Sequence, residues 1–156
     1  MMAEYKTLNF DDSLEYRIIE FKGKDIYAYK TPTANNRQQF LSNILEIYEN
    51  LKKQNIFKKI MSIGMFGITD NKSEDNQIYY VGCEHKFDNT EKIKILPGTY
   101  AVFNCNGDDQ IHIAPLVDKI YKYDFICPDL KIDKKYCFEE YIDDTCFLYI
   151  KVTNMK

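Results

Sequence analysis

The stretch Ile95-Leu96-Pro97-Gly98-Thr99-Tyr100-Ala101-Val102-Phe103-Asn104-Cys105-Asn106-Gly107 decides how this chain is read. Thr99, Tyr100, Val102 and Phe103 are strand formers. Pro97-Gly98 is a turn signal that interrupts the strand near its start. A strand is therefore expected over 93–104. Just beyond it, Asp108 or Asp109 can cap a helix. That helix would carry Ile113, Leu116, Val117, Ile120 and Tyr121 on one stripe, with Pro115 tolerated in its first turns. Two strands, 136–142 and 146–152, follow around the turn Asp143-Asp144.

The first half of the chain runs in the same order. Residues 15–29 read as extended, broken at Lys22-Gly23-Lys24 and ended by Pro32. Asn35 or Asn36 can cap a helix whose Phe40, Ile44, Ile47, Tyr48 and Leu51 recur at spacings of three and four. Leu41 and Leu45 are expected to widen that stripe toward the core. The lysines Lys52, Lys53, Lys58 and Lys59 read as a solvated edge. The apolar run 60–67, bounded by glycine, reads as a short buried strand. The polar run 69–77 reads as a loop, and 78–83 as a strand completing a hairpin. Strand-helix-strand-strand thus occurs twice. The expectation is one α+β domain over 1–156, built from duplicated βαββ units at about 14–88 and 92–153. A pseudo-twofold would relate them, with two helices on one face of an antiparallel sheet and a ligand pocket between the halves.

Composition narrows the function. With 21 basic and 24 acidic residues and a net charge of -3, the chain lacks the excess of cations a compact nucleic-acid binder uses on phosphates. No direct nucleic-acid binding is expected. No apolar run approaches the ~20 residues that span a bilayer, and no signal peptide opens the chain, so a soluble cytoplasmic protein is expected. The five cysteines are widely spaced, without a CxxC pair, and read as free, mostly buried thiols. His85 and His112 have no metal-ligand spacing, so neither metal nor cofactor is expected. Thirteen Tyr and ten Phe without Trp are consistent with an aromatic-lined pocket, but composition alone favours AT-rich codon usage as their cause.

The segment 95–107 resembles the signature of the GyrI-like small-molecule-binding family, also called the AraC effector-binding domain. That signature runs apolar-Pro-small-x-Tyr-Ala-apolar-Phe, then Gly. Tyr79-Tyr80-Val81-Gly82 is similar to the family's aromatic-x-Gly strand, and Phe138-Glu139-Glu140-Tyr141 to its Phe-Glu-x-Tyr strand. The resemblance implies the duplicated fold and a pocket for a small, mostly apolar, possibly cationic molecule. It places the chain with stand-alone members, related to multidrug-binding domains of transcription regulators. The family also includes a branch that hydrolyses reactive electrophiles and a gyrase-inhibitory protein. A hydrolase using Glu139 and Tyr100 and a protein-interaction module are therefore the alternatives. The hydrolytic branch often has Trp where this chain has Tyr80.

Glu139 is the first site candidate. In a strand it shares a face with Cys137 and Tyr141, and a carboxylate there would meet a ligand cation or activate a water. A one-residue slip would put Glu140 there instead, with Phe138. Tyr80, Tyr100 and Tyr141 are candidates for an aromatic wall, Phe138 for its apolar part, and Gly82 for close approach of a ligand or a neighbouring strand. The expected partner is a small molecule, with a protein partner as the alternative and a monomer or weak dimer as the assembly.

Overall fold

The computed structural model describes residues 4–7, 15–73, 75–105, 116–118, 120–121, 130–143 and 145–154. In chain order these form β1 (Glu4–Thr7), β2 (Glu15–Phe21), β3 (Lys24–Lys30), α1 (Arg37–Lys53), α2 (Phe57–Ile63), β4 (Met65–Ser73), β5 (Asn76–Cys83), β6 (Glu91–Ile95), β7 (Gly98–Asn104), β8 (Leu130–Ile142) and β9 (Thr145–Asn154). Residues 116–118 and 120–121 are helical, with Val117 and Ile120 buried. Leu116 and Tyr121 of the expected second helix lie in that turn. Its cap at Asp108 or Asp109, and Ile113, Pro115, His112, Cys127 and Asp144, lie outside the described residues.

The architecture is α+β. One sheet of nine described strands runs β1-β2-β7-β9-β8-β4-β5-β3-β6, antiparallel throughout. β6, at the end of this order, is followed two residues later by β7 near its other end. The register passes without slip from Phe21↔Gly98 in the β2–β7 ladder to Lys24↔Ile95 in the β3–β6 ladder. Two long strands thus pair along their whole length and bend together at one level, which curls the sheet.

The bend has a local cause. Gly23 has φ +89°, a conformation that side chains disfavour. Beside it on the facing strand, Pro97 has no N–H for a ladder. The kink takes Leu96 out of pairing, and two tyrosines restore its partners. Leu96 N–H donates to Tyr136 Oη at 3.2 Å, and Tyr100 Oη donates to the Leu96 carbonyl at 2.6 Å. The signature tyrosine therefore closes the kink.

α1 begins at Asn36, whose side chain accepts from Gln39 N–H at 2.8 Å, and ends with Lys52 and Lys53 against the helix dipole. It buries Phe40, Ile44, Tyr48 and Leu51. Leu45 does not widen that stripe: it is exposed, because it falls off the 3.6-residue line facing the sheet. Two further expectations are corrected. The run 60–67 is the end of α2, a stop at Gly64 (φ +119°) and the start of β4. The polar run 69–77 is mostly strand, because β4 continues to Ser73 and β5 starts at Asn76, held by backbone pairing.

The two faces of the sheet carry separate cores. One joins α1 and α2 to Tyr79, Val81, Cys83, Cys137, Tyr141 and Cys146. The other, with no helix residue among its members, holds Ile19, Ile26, Ile68, Tyr100, Tyr136, Phe138 and Tyr149 inside the curl. The four described cysteines, Cys83, Cys105, Cys137 and Cys146, are free and buried. Among the described residues, no helix is long and apolar enough to cross a membrane.

Candidate functional site

Glu139 is the one buried acidic side chain among the described residues, 4% exposed. It stands in the middle of the sheet, paired with Gly67 of β4 and Leu148 of β9. The alternation of β8 points it to the helix side with Cys137 and Tyr141. Tyr79 Oη donates to Glu139 Oε1 at 2.8 Å, and Tyr141 Oη at 3.3 Å. Tyr48, from α1, lies 2.6 Å from Tyr79, hydroxyl to hydroxyl. A phenol has one proton, and Tyr79 gives its proton to Glu139, so Tyr48 donates to Tyr79. The result is a chain from helix to sheet: Tyr48 to Tyr79 to Glu139, with Tyr141 beside it.

Gly67 makes this chain possible. A Cβ there would lie 1.9 Å from Tyr79 Oη and 2.9 Å from Glu139 Oε1. Phe40 meets the Tyr79 ring edge-on at 6.4 Å, and Phe57 meets Tyr48 at 6.0 Å, so the phenols are held by packing as well.

The electrostatics follow from burial. Desolvation pushes the Glu139 carboxyl up from 4.5 to about 7, although the bonds from Tyr79 and Tyr141 pull it back. Burial, and then the Glu139 charge, raise Tyr48, Tyr79 and Tyr141 well above the usual phenol value, so they remain donors. The same two causes push the Cys137 thiol up to about 12. Among the described residues no cationic side chain pairs with Glu139. This is a desolvated carboxylate solvated by phenols, an arrangement that favours an incoming cation.

The structure brings only some of the sequence candidates together. Glu139 and Tyr141 touch. Phe138 and Tyr100 lie in the opposite core, their rings 5.1 Å apart, with half-buried Tyr80 packed against that core. Phe138 stacks on Tyr149 at 4.3 Å, and Tyr149 donates to the half-buried Glu140 at 2.8 Å. Tyr100 and Glu139 therefore do not meet in one reacting site. Gly82 serves strand approach: a Cβ there would lie 2.0 Å from the Tyr27 carbonyl oxygen. His85 is exposed and rests against Phe87.

Sequence reasoning missed Tyr48, Tyr79 and Gly67. Tyr48 was legible as core but not as a donor. Tyr79 carries no local signal that sets it apart from its neighbour Tyr80. Gly67 closed an apolar run, and a glycine inside a strand marks close approach.

A family model described as Cass2, integron-associated effector binding protein, matches residues 17–152. No curated protein matches the chain significantly. Among solved structures, SAV2435 bound to tetraphenylphosphonium superposes with a TM-score of 0.71 at 13% identity, covering 88% of this chain and 93% of that one. A protein from Staphylococcus aureus MU50, described as acting in bacterial transcription regulation, gives 0.72 at 13% identity, with 89% and 98% covered. The integron cassette protein VCH_CASS2 of Vibrio cholerae gives 0.65 at 20% identity, with 98% and 100% covered. At these identities the three share the fold with this chain.

Proposed function

The chain belongs to the Cass2 family of integron-associated effector binding proteins, and on that footing we propose that it binds a lipophilic aromatic cation whose charge is received by Glu139. The observation that carries this is the buried Glu139 carboxylate, held by Tyr79 and Tyr141 with no cationic partner among the described residues. SAV2435 was solved with tetraphenylphosphonium, a cation of this class. Tyr48, Tyr79 and Tyr141 offer π-faces as well as hydroxyls, and an aromatic face within ~6 Å holds a cation.

Glu139 lines neither the cleft at the first turn of α1 nor the one beside Gly64. The family is one of binding proteins, and the separation of Tyr100 from Glu139 gives hydrolysis by that pair no support.

The same reading takes 14–88 and 92–153 as pseudo-repeats with the site at their junction. The ladders support it. Exchanging β2 with β6, β3 with β7, β4 with β8 and β5 with β9 converts β3–β5 into β7–β9, β4–β5 into β8–β9, and β2–β7 into β3–β6. It leaves β4–β8, which carries Glu139, as its own image.

Calorimetry with tetraphenylphosphonium and the neutral triphenylphosphine oxide tests the proposal. The cation should bind and raise Tm, and the neutral compound should bind far more weakly. Equal affinity for the two would overturn the role of the carboxylate.

A further inference from the structure

We infer that a cleft at the start of α1 is a second binding site, for a neutral, hydroxyl-rich molecule one or two sugar rings in size. The cleft measures about 580 Å³, within the ~300–1,000 Å³ range of small-molecule sites. It lies between the first turn of α1, the β4–β5 hairpin, Lys134 and Lys135 of β8, and Tyr121.

Two buried polar atoms lack a hydrogen-bond partner among the described residues, Arg37 Nε and Asn71 Oδ1, and both residues line this cleft. One is a donor and the other an acceptor. Buried polar groups in folded proteins are nearly always satisfied, so such a pair in one cavity points to a ligand that both accepts and donates. Hydroxyl groups do both.

The guanidinium of Arg37 is already fixed. It donates from Nη2 to Asp118 Oδ1 at 2.8 Å and lies over the Phe40 ring at 5.4 Å. Its Nε is thus a positioned donor. The charges of the wall nearly balance, with Arg37, Lys134 and Lys135 against Asp75 and Asp118. A neutral ligand suits that balance better than an ion. Amides from Asn71 and Gln77 and the ring of Tyr121 complete a lining of polar groups around one aromatic surface.

Amide spectra of the full chain, titrated with N-acetylglucosamine and galactose, test the assignment. Saturable shifts are expected at Asn71 and Gln77. They should persist with saturating tetraphenylphosphonium present. Asn71→Leu and Arg37→Lys, both at half-buried positions, should each weaken the sugar at least ~10-fold. If either variant unfolds, the Asn71 side-chain amide shift in the unaltered chain decides. Absence of saturable shifts at these residues, or unchanged affinity in a folded Asn71→Leu, would overturn the inference. So would shifts produced by inorganic phosphate and not by the sugars, or displacement of the sugars by tetraphenylphosphonium.

Discussion

Replacing Glu139 with Gln keeps the size of the side chain and its acceptor for Tyr79 but removes the ionisable group. In the fold the carboxyl sits at about 7, against 4.5 for an unperturbed one. The folded state therefore holds this proton more tightly than the unfolded state. The stabilisation is full below about 4.5, declines as pH rises toward about 7, and is gone above that. Each pKa unit corresponds to ~1.4 kcal/mol, so the loss between these limits is ~3 kcal/mol. Glutamine has no such loss. Glu139→Gln should stand within ~1 kcal/mol of the parent at pH 5 and exceed it by up to ~3 kcal/mol at pH 8, or roughly 6–12 °C in Tm for a chain of this size. Urea unfolding of both proteins at pH 5 and pH 8 measures this, and taking their difference cancels other titrating groups such as Asp70. The same substitution should weaken tetraphenylphosphonium by ~1.5–3 kcal/mol, about ten- to a hundredfold in Kd. A variant no more stable at pH 8 than at pH 5, relative to the parent, would refute the buried-charge reasoning, even if it also lost the cation.

Binding of tetraphenylphosphonium to the parent should weaken about tenfold per pH unit below about 7, because the cation must first expel the Glu139 proton; a flat calorimetric profile from pH 5 to 7 would contradict this. Gly67→Ala should lower stability by ~1–3 kcal/mol, because its methyl displaces the Tyr79 hydroxyl from Glu139; a neutral effect on Tm would show that Tyr79 moves freely. Tyr100→Phe should cost ~0.5–1.5 kcal/mol by removing its bond to the Leu96 carbonyl, with cation affinity intact; a tenfold loss of affinity would instead bring Tyr100 into the site. Glu140→Gln, which alters only the bond from Tyr149, should leave cation affinity near that of the parent in the same titration; loss of binding there would transfer the role to Glu140.

What was legible in the sequence was local and periodic. The stripe Phe40, Ile44, Tyr48 and Leu51 needs only 3.6 residues per turn. The shared face of Cys137, Glu139 and Tyr141 needs only the alternation of a strand. The break at Pro97-Gly98 needs only the chemistry of those two residues. Together with the signature around Tyr100 these were enough for the α+β class, the family and the first site candidate. Pairing and curvature decided the rest. The run 60–67 is apolar enough for a strand or a buried helix, and only packing made its first part α2. Residues 69–77 are too polar to announce a strand, yet β5 and β8 supply β4 with backbone partners regardless of side chain. Tyr79 and Tyr80 are equivalent in a run with apolar or aromatic residues on both faces, since the local pattern carries no label for either face. The curl of the sheet assigned Tyr79 to the helices and Glu139, and Tyr80 to the aromatic interior with Tyr100 and Phe138. A hydrogen-bonded chain of Tyr48, Tyr79 and Glu139 joins residues 31 and 60 positions apart, and no local periodicity reaches that far.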